Sequence, residues 1–189
     1  MYNQKKLKEI AEELLKEIGE DPNRIGLKDT PKRMAKMWTE IFKGYDITQL
    51  PIITVFPNNN DGISYNQIIL DEGMFVSYCE HHMAIFKGKY YFGYIPDKYL
   101  IGLSKIARII DYFSSRLQVQ ERLGENIVSF MYQKLKPKGI ILVLKANHSC
   151  KETRGIKKEG KMTTAIIRGI FETDNSAKQE FYSLINLMA

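Results

Sequence analysis

The 189-residue chain contains only three histidines and two cysteines, and all five fall in two short words, Cys79-Glu80-His81-His82 and His148-Ser149-Cys150. Thiolate and imidazole are the ligands that suit zinc, and Cys79 with His82 at i, i+3 can both reach one ion from a single turn. Cys150, at the end of a predicted strand far along the chain, offers a third ligand. Three protein ligands leave a position open for water, as in catalytic zinc sites, whereas structural sites close with four. His81 and His148 then stand spare beside the ligands, and a neutral imidazole is the usual proton carrier near neutral pH. Spacing alone leaves two other readings open: a closed site that uses one of these histidines as fourth ligand, and buried Cys and His with no metal.

The elements that must position these words follow an α+β order. Leu7, Ile10, Ala11, Leu14, Leu15 and Ile18 recur every three or four residues, which predicts a helix over 4–19 that stops at Gly19. Thr30-Pro31 reads as the N-cap and first position of a second helix, with Met34, Met37, Trp38, Ile41 and Phe42 as its buried stripe and Gly44 as its end. Strands are expected at 51–56, 67–70, 74–78 and 87–95, helices over about 102–116 and 118–135, strands at 139–146 and 161–171, and a closing helix over 176–187. Tyr90-Tyr91-Phe92-Gly93-Tyr94, interleaved with Lys87 and Lys89, could suggest a platform for single-stranded nucleic acid. Such alternation more often means one buried and one partly covered strand face, and that is the reading taken. Without repeat or linker, a single domain over 1–189 is expected, with a helical part at 1–50 and a catalytic core at 51–189.

Composition sets outer limits. With 44% hydrophobic and 26% charged residues the chain is neither disordered nor fibrous. Neither a signal peptide nor a run approaching the roughly 18 apolar residues of a membrane span is present. Two cysteines do not make a disulfide framework, so a soluble cytoplasmic protein is expected. The charge of +6 would suit nucleic acid, an anionic membrane or a phosphorylated small molecule, and cannot choose among them. Lys105 and Arg108 lie three apart on one helix face, and Glu121 is a carboxylate able to accept from two adjacent donors. On spacing alone, each of these charges also reads as part of a solvated face.

Taken together, the words resemble those of the GTP cyclohydrolase I family. The likeness runs from about Gly19 to the C-terminus through Gly19-Glu20-Asp21-Pro22, Asp29-Thr30-Pro31-Lys32-Arg33, Cys79-Glu80-His81-His82, Gly102-Leu103-Ser104-Lys105-Ile106-Ala107-Arg108, Gln118-Val119-Gln120-Glu121-Arg122-Leu123, and His148-Ser149-Cys150 with Arg154-Gly155. The resemblance implies one Zn2+ per subunit on Cys79, His82 and Cys150, acid/base roles for His81 and His148, and help from Ser104 in the ribose steps. It places Arg33, Lys105, Arg108 and Arg154 on a triphosphate, and Glu121, with Gln120 beside it, on the N1–H and N2–H2 edge of guanine. The implied reaction is zinc-dependent hydrolysis of GTP at C8, loss of formate and rearrangement to 7,8-dihydroneopterin triphosphate, the first step toward tetrahydrofolate, another pterin or a deazapurine.

The family fold is the tunnelling fold, a four-stranded antiparallel sheet with two helices between its second and third strands. Sheets of several subunits join into a barrel, and a homodecamer carries active sites at subunit boundaries, with no nucleic-acid or membrane partner. The chain begins almost at its first helix, so the regulation that animal members receive through a long N-terminal extension is not expected. Departures fall at Ile25, where Glu is common, at Gly124, where Thr is usual, and at Lys151-Glu152, often apolar in the family; none is a ligand or proton-transfer position. Two rivals forecast differently. A tunnelling-fold relative acting on another purine or pterin, such as a nitrile reductase of the deazapurine pathway, uses a catalytic Cys in place of this zinc set. A basic zinc module for nucleic acid would bind duplex in a salt-sensitive way, but its ligands would sit at compact finger spacings.

Overall fold

Apolar runs in the middle of the chain pair into one sheet, and helices cover its two faces unequally. The computed structural model describes residues 2–188. In chain order the elements are α1 (Gln4–Glu17), α2 (Thr30–Ile41), β1 (Val55–Pro57), β2 (Ile69–Cys79), β3 (Ile85–Ile95), β4 (Tyr99–Ile101), α3 (Leu103–Ser114), β5 (Leu117–Gln118), α4 (Gln120–Leu135), β6 (Gly139–His148), α5 (Ser149–Glu152), β7 (Lys161–Gly169), α6 (Ile170–Thr173) and α7 (Asn175–Met188), with two short 3-10 turns after α2. The long strands β2, β3, β6 and β7 pair antiparallel in that order, and β5 adds in parallel at the end of β2. β1 and β4 form a separate ribbon. Helices α3 and α4 lie in the chain between the second and third long strands.

Burial explains the strand patterns. On one face Phe75, Phe86, Tyr90, Phe92, Tyr94 and Leu142 meet Ile106, Ile109 and Ile110 of α3 and Leu123, Ile127 and Met131 of α4. Each such side chain contributes about 1.5–3 kcal/mol when fully buried. The other face is covered at one end only, where Tyr91, Ile95, Ile141 and Val143 meet Phe171 and Phe181 of α6 and α7. Accordingly β3 alternates in its first half, with Lys87 and Lys89 outward, and is buried on both faces in its second. The segment Tyr90–Tyr94 thus has two covered faces rather than one, because α7 closes the face that a period-2 reading leaves partly open.

Several boundaries shift for local reasons. Asp29, not Thr30, stands at the N-cap of α2, which puts Pro31 in the first turn. Met37, expected in the buried stripe, is exposed, as are Ile10 and Leu14 of α1 and Ile18 at its C-cap; α1 and α2 pack on each other through a narrower seam that buries Ala11, Leu15, Pro31 and Ala35. The expected strand at 51–56 is reduced to Val55–Pro57, which pairs only with the short β4. The runs at 67–70 and 74–78 are one strand, β2, because Asp71 to Gly73 keep pairing with Phe92 to Tyr90 of β3. The last strand ends at Gly169, where the left-handed backbone starts α6. Among the described residues no helix is long and apolar enough to cross a membrane.

Candidate metal centre

Residues 80–84 reverse the chain between β2 and β3. The Cys79 amide donates to Ala84 O at 2.8 Å, while Cys79 O accepts from the amides of His82 at 3.3 Å and Met83 at 2.8 Å. Met83 takes up a left-handed φ of 52° to close the turn, a conformation rare for such a side chain. The reversal brings both imidazoles to the buried Cys79 thiol, with His81 Nδ1 3.7 Å and His82 Nδ1 3.9 Å from Sγ. From outside, α4 and β5 brace the turn. Glu80 donates its amide to Gln118 O at 3.0 Å and its carboxylate pairs with Arg122, whose Nε donates to Gln118 Oε1 at 3.0 Å. The Arg122 guanidinium holds the Glu80 carboxyl below its ordinary value.

The second word arrives on β6. Its register with β3 sets His148 opposite Phe86, and the two rings stack at 4.7 Å with 2° between their planes. Cys150, on the short helix that follows, completes a cluster in which the ligand atoms of Cys79, His82 and Cys150 lie within 4.8 Å of one another. Burial, and the Cys79 thiol next to it, push the Cys150 thiol up. A coordinated cation reverses that tendency, since a thiol on a metal is deprotonated outright. Two thiols and an imidazole gathered this closely are a soft donor set of the kind zinc takes. Burial pushes the His148 imidazole down, against the pull of the Glu121 and Glu152 carboxylates. Arg154 Nη1 donates to His82 Nε2 at 2.7 Å. Cys79, His81, His82, Gln120, Glu121, His148, Cys150 and Arg154 therefore share one corner. Gln120, expected beside Glu121 as a base contact, is turned inward, with its amide nitrogen on Leu144 O and Met162 O and its oxygen on His148.

The remaining candidates are elsewhere. Ser104, Lys105 and Arg108 stand in the first turns of α3, whose start is held beside the β1–β4 ribbon by the Gly102 amide on Thr54 O at 3.1 Å. The metal corner meets the opposite end of that helix, where Ser77 Oγ donates to Ser114 O at 2.8 Å. From Ser104 to Ser114 is roughly 15 Å of helix at 1.5 Å per residue. Arg108 faces a surface hollow with Lys43, Gln49 and Asp111, and Arg33 lies on its own helix start, its Nη2 donating to Thr30 Oγ1 at 3.0 Å and its Nη1 3.9 Å from Asp29. Phe86 and the Glu80–Arg122 pair went unread in the sequence. A Phe on an alternating strand carries no sign that it stacks on a histidine, whereas Arg122, two residues past Gln120 in a charged word, was a signal available to be used.

A mixed α+β protein that gathers two thiols and an imidazole, with further histidines beside them, has the donor set of a metal-dependent enzyme. Comparison with known proteins makes this specific. The family model for GTP cyclohydrolase I matches residues 7–186. GTP cyclohydrolase 1 of Streptococcus mutans is 41% identical over 98% of this chain and 96% of its own, and that of Leptospira biflexa 42% over 95% and 97%. The Aquifex aeolicus protein of the same name is 40% identical over 97% of each chain. Among solved structures, an archaeosine synthase QueF-Like in the apo form aligns at 12% identity and TM-score 0.41 over 52% of this chain and 91% of that one, a likeness too slight to carry an argument. The chain belongs to the GTP cyclohydrolase I family.

Proposed function

We propose that this chain hydrolyses GTP at C8 of the guanine ring and rearranges the product to 7,8-dihydroneopterin triphosphate with release of formate, the first step toward folate, other pterins or deazapurines. The observation that carries the reading is the three-donor set of Cys79, His82 and Cys150 converging with His81, His148 and Glu121 in a chain of this family. Those three residues hold one zinc per subunit. Zinc bound there supplies a Lewis acid and a nucleophile at neutral pH.

The chain's own groups do the rest. His148, which burial keeps neutral near pH 7, and His81, exposed on the turn, move protons at the purine and ribose. Glu121, exposed in the first turn of α4 and near His148, accepts from guanine N1–H and N2–H2. A base without that donor pair leaves the carboxylate unpaired, which gives discrimination. Arg154 supplies one cation for the triphosphate from beside His82.

Lys105, Arg108, Arg33 and Ser104 reach the substrate from a neighbouring subunit. The length of α3 between Ser104 and the metal corner supports this, as do the sheet edges, since among the described residues the outer edge of β7 has no partner strand and that of β2 is paired by β5 at Tyr78 and Cys79 only. Open edges call for pairing or protection. Edge-to-edge joining of these sheets gives the barrel of the tunnelling fold and a homodecamer. The exposed apolar residues Ile10 and Leu14 of α1, with Ile18 at its C-cap, supply further contact surface. Each subunit is a single domain, a helical part at 1–50 on a catalytic core at 51–189, and its reduced thiol ligands suit the cytoplasm.

The test is incubation of zinc-loaded protein with GTP, reading formate and the fluorescent neopterin formed after oxidation and dephosphorylation. Equimolar formate and pterin, with no turnover of ATP, is the expected result. Neither product from fully loaded protein overturns the reading.

A further inference from the structure

Gln120 is 1% exposed, and its side-chain amide is engaged at both ends. The nitrogen lies 3.0 Å from Leu144 O, 3.2 Å from Met162 O and 3.1 Å from Thr164 Oγ1, and the oxygen lies 2.9 Å from His148 Nε2. Two of the nitrogen's neighbours are backbone carbonyls, which only accept. The end facing β6 and β7 must therefore be the NH2 group, because a flipped amide would set oxygen against two carbonyl oxygens in a buried place. The end facing His148 is then a carbonyl oxygen, which also only accepts. His148 must meet it with a hydrogen on Nε2, and in the neutral ring that leaves the lone pair on Nδ1. Phe86, stacked on the same imidazole, restrains the ring plane about which this bond is made.

We propose that Gln120 is a positioning residue, which fixes His148 as the Nε2–H tautomer and so decides that Nδ1 is the nitrogen that takes a proton during turnover. The proposal rests on the reading of His148 as a proton carrier, though the tautomer itself does not depend on that reading. Gln120 achieves this from the first residue of α4, next to Glu121. The same helix start would thus orient the base through Glu121 and the proton carrier through Gln120. Leu144 and Met162 belong to adjacent strands, so the amide orientation is set by the sheet and not by solvent.

The test uses zinc-loaded protein labelled with 15N-histidine, in which only three imidazoles contribute signal. Magic-angle-spinning spectra at pH 8, with the His148 signals assigned by their loss in His148→Asn, report which nitrogen carries hydrogen. Hydrogen on Nε2 alone supports the proposal, and hydrogen on Nδ1, or an even mixture, overturns it, whether or not GTP is turned over. In Gln120→Leu, which keeps bulk and removes both ends of the amide, the His148 signals are expected to show a mixed tautomer. With zinc content unchanged, kcat is expected to fall by roughly 10–100-fold and KM to stay within about twofold, as is usual for loss of an outer-shell partner. Unchanged kcat beside a mixed tautomer overturns the catalytic consequence. Should Gln120→Leu fail to fold, the wild-type spectrum decides the tautomer alone, and Thr164→Val, which spares both carbonyls and the His148 contact, is expected to keep the Nε2–H signal.

Discussion

The metal corner and the cationic start of α3 are built by opposite means. At the corner most groups are held by another: a turn closed on Cys79, a ring stacked on Phe86, an amide pinned between two strands, and an ion pair from Arg122 to Glu80. At the start of α3, Ser104 and Arg108 are exposed and Lys105 only partly covered, and Arg108 faces an open surface hollow with Lys43, Gln49 and Asp111. Bond-making groups must be fixed to within a fraction of an ångström, whereas phosphate oxygens can be met by long cations as they arrive. On the function proposed above, a single chain would complete the demanding half of the site and present the tolerant half on another surface, for a neighbour to use.

The sharpest way to break this comparison is at the corner. Cys150→Ala is expected to lose both zinc, read by elemental analysis, and formate production, falling to background; full metal retention with full activity would remove Cys150 from the ligand set. His81→Ala should keep its zinc and lose about 10²–10⁴-fold in turnover, the usual worth of a positioned acid or base. Zinc loss in that variant would instead make His81 a ligand.

At the other half the expected effect is smaller and takes a different form. Arg108→Ala should weaken GTP binding by roughly 10–100-fold through loss of a charge-assisted contact, with zinc content untouched. If corner and cations come from different subunits, co-refolding Arg108→Ala with Cys150→Ala in equal amounts restores about one quarter of the sites, because random neighbours unite intact halves that often. No recovery in a mixed oligomer would show that each chain supplies both halves itself.

The same contrast explains what the sequence could disclose. The five scarce soft residues named the corner because Cys and His have few bland uses in a chain otherwise without them. The order of helices and strands was legible from apolar periods, and so were the two long helices between the second and third long strands. What could not be read were relations that only the tertiary arrangement creates. Burial of Tyr91 depends on α7, far along the chain. The inward turn of Gln120 depends on carbonyls of β6 and β7, and the placing of Lys105 and Arg108 toward the other end of α3 from Ser77 and Cys79 depends on the direction in which α3 leaves the sheet. Motif order cannot say whether two words meet in one chain.

The departures at Ile25 and Gly124 give the finest test, because one lies on an open surface and the other in the tight seating of the corner. Ile25 is 99% exposed, so Ile25→Glu is expected to leave the melting temperature unchanged within error. Gly124 lies one turn after Gln120, and a Cβ there would stand 2.2 Å from Ile166 Cδ1 and 3.6 Å from Leu144 Cδ1. The nearer atom is the end of a side chain that can rotate, so α4 need not lift off the sheet. Gly124→Ala should then cost about 1–3 kcal/mol in overpacking and recover about 1 kcal/mol from helix propensity, a net loss of roughly 0–2 kcal/mol. Shortening the neighbour separates the two contributions: in Ile166→Val the clashing methyl is gone and the γ carbon at 3.1 Å remains, so adding Gly124→Ala to it should cost less than in the parent in a urea titration. If the added Ala destabilises both backgrounds equally, it is the helix seating as a whole, and not Ile166, that requires glycine at this position.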